Sequence, residues 1–226
     1  MDSPLLALAL PPLLIVPAMG LLARIRSVSP VACELRRKAL HIGVGLTALS
    51  FPLFLTEAWM VVVSLAVVAG WMLAVRRVPF LQARFGCVLH DIRRESHGEL
   101  YFALSIACLL LFSGTNLLLF TIPVLILAIS DAAAAIVGRA WPLGELGGAA
   151  KGKTLSGSAA FLFSAHLITW SLLASYTPLP NGTALAIAAI VACLTCVTEA
   201  ISSRGLDNLL VPGVAWLVLN SFLPGA

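Results

Sequence analysis

The stretch 147-GGAAKGKTLSGS-158 admits two incompatible folds. Gly147, Gly152, Lys153 and Thr154 satisfy G-x-x-x-x-G-K-[ST], the loop that cradles nucleotide phosphates in P-loop proteins. Such a loop is delivered by a β-strand and opens a helix, so the match demands an α/β domain around it. Working outward, the preceding segment is 116-NLLLFTIPVLILAISDAAAAIVG-138, an apolar run long enough for a membrane helix, and 157–174 is another. No strand-rich unit flanks the loop, so the P-loop fold is excluded. Its local physics survives. Glycines free the backbone to wrap an anion, Lys151 and Lys153 add charge, and the N-terminus of the following helix adds amides.

The whole chain agrees with the membrane reading. Of its 226 residues 60% are hydrophobic and 11% charged, and the mean hydropathy is +1.03. A soluble domain is roughly a quarter charged, so this chain has too little polar surface to coat a water-soluble globule. The expectation is an all-α, polytopic integral membrane protein. Apolar runs place eight spans at 4–22, 39–55, 58–75, 100–114, 116–138, 157–174, 183–201 and 208–224, with 100–114 the weakest.

The basic residues test this map independently. Arg24, Arg26, Arg36, Arg37 and Lys38 fall between spans one and two, and Arg76, Arg77, Arg84, Arg93 and Arg94 between three and four. Arg139, Lys151 and Lys153 fall between five and six, and Arg204 between seven and eight. All 14 lysines and arginines thus lie in odd-numbered connections. The positive-inside rule makes those connections cytoplasmic and puts both termini outside. The net charge of +4 is accounted for in this way and calls for no nucleic-acid partner. With no repeat or dividing linker, residues 1–226 read as one membrane-embedded domain whose chemistry sits on the cytoplasmic side.

Two other features read as structural. Asp2 precedes the first apolar run and Arg24 and Arg26 follow it, the reverse of a signal peptide. Cys193 and Cys196 form C-x-x-C inside a span without a second ligand pair, so they read as small buried residues.

Ionisable groups inside spans are costly and face a cavity or a partner. Asp131 lies near the cytoplasmic end of span five, Glu199 near that of span seven, and Asp207 and Asn208 open span eight. His41 opens span two, so all five collect at one depth. In 34-ELRRKALH-41, Glu34, Arg37, Lys38 and His41 stand at i, i+3, i+4 and i+7, on one helix face. A basic wall beside carboxylates suits a metal–nucleotide: cations hold phosphate oxygens and carboxylates hold Mg²⁺. The run 132-AAAAIVG-138 lets a second backbone approach closely. Glu99 in 93-RRESHGELYF-102 is a weak signal by itself, and His166 reads as a packed, hydrogen-bonded histidine away from the cluster.

Taken in order, 34-ELRRKALH-41, 129-ISDAAAAIVGR-139, 151-KGKTLSGSAAF-161 and 198-TEAISSRGLDNLLVP-212 resemble the polyprenol kinase family, which includes dolichol, phytol and farnesol kinases. These are multi-span enzymes that phosphorylate a lipid alcohol, usually with CTP. The resemblance matches Arg37, Lys38 and His41 to R-K-x-x-H, Asp131 and Gly138 to G-D-x-x-A-x-x-x-G with Ser130 in place of its first glycine, and Lys153, Thr154 and Gly157 to K-[ST]-x-E-G. It matches Glu199, Asp207, Asn208 and Pro212 to E…D-N-x-x-x-P, and Ser156 stands where the family usually places a glutamate.

The resemblance implies phosphoryl transfer from a nucleoside triphosphate, CTP by likeness, to an isoprenoid or related lipid alcohol. Asp131, His41, Glu199 and Asp207 are the expected catalytic groups, and Asp131, Glu199 and Asp207 the expected Mg²⁺ ligands. Arg37, Lys38, Arg139, Lys151, Lys153, Thr154, Gly157 and Asn208 are the expected nucleotide contacts. A CTP-dependent phospholipid cytidylyltransferase uses similar parts, and a cation-coupled transporter is the reading from a different class.

Overall fold

The computed structural model describes residues 4–24, 30–89, 97–147 and 152–223. Its helices are α1 (Pro4–Arg24), α2 (Pro30–Ala48), α3 (Ala58–Arg77), α4 (Pro79–Leu89), α5 (Gly98–Phe112), α6 (Leu117–Leu125), α7 (Asp131–Ala140), α8 (Leu155–Tyr176), α9 (Asn181–Ile201) and α10 (Asp207–Phe222). A π-helical turn, Ile126–Ser130, joins α6 to α7 into one rod. Each of the eight apolar runs overlaps a helix or this rod. Four of them, α3, the rod Leu117–Ala140, α8 and α9, are long and apolar enough to cross a membrane by length and composition. The outward surface is apolar too: Phe163, Leu217, Val197 and Ile201 are all exposed. Exposed apolar side chains in such number suit a chain solvated by hydrocarbon rather than water.

The structure departs from the expected map in three places. The second span, expected at 39–55, is a helix over Pro30–Ala48 that stops before a 3₁₀ turn, Phe51–Leu53. Pro52 explains the stop, because it has no N–H to give the Ala48 carbonyl four residues back and its ring crowds that carbonyl. Helix α4 fills part of the second basic connection. The all-α fold also carries one β-pair, β1 (Glu145–Leu146) antiparallel to β2 (Lys153–Thr154), with Glu145 opposite Thr154 and Leu146 opposite Lys153.

The rod Leu117–Ala140 is the centre of the fold. Two thirds of its apolar window (67%) is buried, against 22% for α3. Asn116 caps it by accepting the Leu118 N–H at 3.1 Å. One core cluster packs α6 against α8, α9 and α10, a second packs it against α2, α3 and α5, and a third joins α1 to α2, α3 and α4. Within a bilayer there is no hydrophobic gain from pairing apolar helices, so close approach at small residues does the work. It does so twice here. A Cβ on Gly45 of α2 would stand 2.4 Å from the Ala128 Cβ in the π turn. A Cβ on Gly157 of α8 would stand 2.8 Å from the Ala134 carbonyl oxygen and 3.4 Å from the Gly138 Cα of α7. The alanine–glycine run 132–138 is thus the contact face read from the sequence.

These crossings generate a paired prediction. Gly45→Ala should lower the melting temperature in detergent, because overpacking costs about 1–3 kcal/mol. Gly43→Ala, on the same helix with nothing within 4 Å of its Cβ, should leave it unchanged or raise it slightly.

Candidate active site

The close crossing at Gly45 and Ala128 lays the second half of α2 against the π turn. There Lys38 Nζ donates to Asp131 Oδ2 in an ion pair whose side chains are 5% and 13% exposed. His41, one turn along α2, puts Nε2 3.3 Å from the same oxygen and 2.9 Å from the Leu127 carbonyl, to which Nε2–H donates. Its ring meets Phe102 of α5 edge-on, with centroids 4.7 Å apart. The π turn makes this possible. Its widened ladder, with Asp131 N–H bonded five residues back to Ile126, adds a residue to the turn and shifts Asp131 out of the register of the α6 core face.

The second half of the site is built on the β-pair. β2 ends in Thr154, whose Oγ accepts the Gly157 N–H at 3.1 Å and so caps α8. Lys153, just before the cap, stands 2.7 Å from Glu199 Oε1 and 3.4 Å from Asp207 Oδ2, and donates also to the Glu199 carbonyl. That carbonyl belongs to the last turn of α9 and also accepts the Ser202 N–H at 3.2 Å. A turn through Arg204 (φ 55°) and Gly205 (φ 85°) then reverses the chain into α10. Asp207 Oδ1 accepts the Asn208 N–H at 3.1 Å, and Asn208 Nδ2 donates to the Gly98 carbonyl at 2.9 Å. Asn208 thereby ties the start of α10 to the start of α5.

Both halves open on one cavity of about 1230 Å³. At one end its wall is ionic: Arg37, Lys38, His41, Asp131, Arg139, Lys153, Asp207 and Asn208 line it. From there it continues between α2, α3 and α5 along apolar side chains such as Val44, Leu65, Val68, Phe102 and Ile106.

Most residues read from the sequence therefore meet. Three do so in another capacity. Glu199 is buried beneath Lys153 and does not line the cavity, while Thr154 and Gly157 are engaged in the helix cap and the α7–α8 crossing. Ser156 is half-buried, and its hydroxyl donates to the Trp141 carbonyl. Lys151 and the side chain of Glu34 lie outside the described residues. His166 is half-buried, lines no part of the cavity and has no hydrogen-bond partner among the described residues, so the expected hydrogen bond is absent.

Sequence reasoning missed two features. Arg76, at the end of α3, meets Glu99 Oε2 at 2.9 Å and His97 Nδ1 at 2.6 Å, and both partners line the cavity. The apolar wall was also missed, although its signal is present. Val61, Ser64, Leu65, Val68 and Met72 recur at helical spacing, as do Phe102, Ile106 and Leu110.

Among the described residues no three His, Cys, Asp or Glu side chains cluster at metal-holding spacing. Mg²⁺ is commonly held by one or two carboxylates, with phosphate oxygens and water completing the shell. Asp131 and Asp207, the two aspartates on the cavity wall, have the right chemistry for that.

No protein-family profile matches the chain, and no solved structure matches it. It is 31% identical to the phytol kinase of Synechocystis sp. over 188 residues, 82% of this chain and 77% of that protein.

The buried pair is testable by a double-mutant cycle. Lys38→Met and Asp131→Asn should each lower the melting temperature in detergent, since each leaves its partner without its counter-charge. The double variant should recover part of the loss, a coupling of about 1–3 kcal/mol. Additive losses would show that the two side chains do not interact.

Proposed function

The chain belongs to the polyprenol and phytol kinase-like family, and we propose that it transfers the terminal phosphoryl group of a nucleoside triphosphate to the hydroxyl of an isoprenoid or related lipid alcohol. The observation that carries this reading is the cavity: a single space with a cationic and carboxylate-bearing mouth and a long apolar body. A soluble phosphate donor needs the first and a lipid tail needs the second. CTP is the donor by likeness to the family. The mouth faces the cytoplasm, where nucleotide is available, in a bundle of eight spans with both termini outside, and the alcohol enters from the inner leaflet beside the mouth.

Catalysis of this kind is mostly positioning and charge neutralisation. Lys38, Lys153, Arg37 and Arg139 hold the phosphates at the mouth. Lys151, next to Lys153 in sequence, adds to their charge. Asp131 would hold Mg²⁺, which would supply neutralisation of the charge developing on the phosphate oxygens, and Asp207 is the base. Glu199 fixes Lys153, and Asn208 fixes the α10 terminus that carries Asp207. The alcohol oxygen bonds to the γ-phosphorus as the bond from that phosphorus to the bridging oxygen breaks. The electron pair of the broken bond leaves with the nucleoside diphosphate, and the hydroxyl proton passes to Asp207. His41, donating to Leu127, holds the Asp131 carboxylate in place beside Lys38.

The expected result with purified protein, Mg²⁺, each of four nucleoside triphosphates and a panel of isoprenoid alcohols is a phosphorylated lipid and a nucleoside diphosphate. Pyrophosphate in place of the diphosphate would make the chain a cytidylyltransferase, and cation flux in proteoliposomes without nucleotide would make it a transporter. Asp131→Asn and Lys153→Met should lower kcat about 10²–10³-fold, the usual effect of losing one electrostatic group at a transition state. Both should still unfold cooperatively. Near-normal turnover by Asp131→Asn would remove that residue from the mechanism.

A further inference from the structure

The apolar body of the cavity has a floor. Its walls are three helix stripes: Lys38, His41, Val44 and Ala48 on α2; Met72, Val68, Leu65, Ser64 and Val61 on α3; Glu99, Phe102, Ile106 and Leu110 on α5. On each helix the first-named residue is near the ionic mouth and the last is deep. A helix rises about 1.5 Å per residue, so each stripe runs roughly 15–17 Å. Beyond the stripes the chain crosses underneath. Ala48, Phe51, Leu55, Val61 and Ala107 all line the cavity and are themselves 0–8% exposed. Phe51 and Leu55 belong to the turn that Pro52 forces after α2. The cavity therefore ends against packed side chains at that level.

A depth of this kind measures a tail. An extended carbon chain advances about 1.3 Å per bond, so roughly 15–17 Å takes about a dozen main-chain carbons, or about three isoprene units. Modest coiling accommodates a fourth. A tail several times longer has no room past Phe51 and Leu55.

We propose that the deep end of the cavity, floored by Ala48, Phe51, Leu55 and Val61 and walled by Ala107, sets an upper limit on the length of the alcohol this chain phosphorylates, at about three to four isoprene units. This inference rests on the lipid-alcohol kinase reading and specifies the substrate length for the same site. Ala107 and Phe51 are the residues that set it. Ala107 faces the deep space with a single methyl group, so a larger side chain there fills that space from the wall. Phe51 is the largest group beneath, so truncating it lowers the floor.

The test measures kcat/KM for geraniol, farnesol, phytol and a C55 polyprenol with the wild-type chain and two variants. The wild type should phosphorylate the alcohols up to phytol and discriminate against the C55 polyprenol at least a hundredfold. Ala107→Phe should lower the phytol-to-geraniol ratio at least tenfold, with geraniol turnover reporting that the variant folds. Phe51→Ala should move the preference the opposite way, reducing discrimination against the longest alcohol. If Ala107→Phe fails to fold, the shift in Phe51→Ala decides. A wild type that uses the C55 polyprenol as well as phytol overturns the proposal, as do ratios that change less than twofold in the folded variants. A wild type that phosphorylates no alcohol at all instead refutes the kinase reading beneath it.

Discussion

The ion pair between Lys38 and Asp131 is the constraint around which the bundle is organised. Two charges held away from water are expensive, and removing either partner strands the other. The pair therefore ties α2 to the central rod in one register. The fold meets this demand with small residues and a defect. Gly45 lets α2 press on Ala128, and the π turn shifts Asp131 to meet Lys38. His41 then finds the Leu127 carbonyl in that same widened turn. A regular α-helix through 126–130 would point the carboxylate elsewhere, and the lysine would face hydrocarbon or an empty cavity.

The other half of the site follows a different logic. Lys153 is placed by a two-residue β-pair and a helix cap, then held by the carbonyl and carboxylate of a single residue at the end of α9. The resemblance to a P-loop thus has a physical core: a lysine just before a capped helix start. In this fold, however, a membrane helix supplies the anchoring carbonyl that a parallel sheet would not. The conformationally particular residues of the site, Arg204 and Gly205, sit in the tight turn that brings Asp207 back under Lys153.

Much of this was legible in the sequence because membrane solvation leaves strong signatures. Apolar length marked the helices, and lone charges such as Asp131 and Glu199 marked where they must meet partners. The glycine and alanine run at 132–138 marked a close crossing. What was not legible depends on pairing in space. Nothing local tells that Glu199 lies beneath Lys153 rather than on the cavity wall, or that Arg76 reaches Glu99 and His97. The end of α2 was misjudged because residues 49–55 are as apolar as a span, and apolarity outweighed Pro52. The cavity's apolar wall is composed of the same residue types as the core, so composition could not separate them, although the i, i+3, i+4, i+7 spacing in α3 was there to be read.

The site's charge inventory has a consequence for what can bind. Its two lysines already have carboxylate companions: Asp131 for Lys38, and Glu199 and Asp207 for Lys153. An arriving anion must displace those companions, and each displaced carboxylate then needs a new positive neighbour in a poorly solvated place. A bare anion brings none. A polyphosphate escorted by a divalent cation brings its own and can exchange partners without leaving a net imbalance. For the proposed reaction, electroneutrality at these two lysines would favour a polyphosphate that carries a divalent cation over a bare anion.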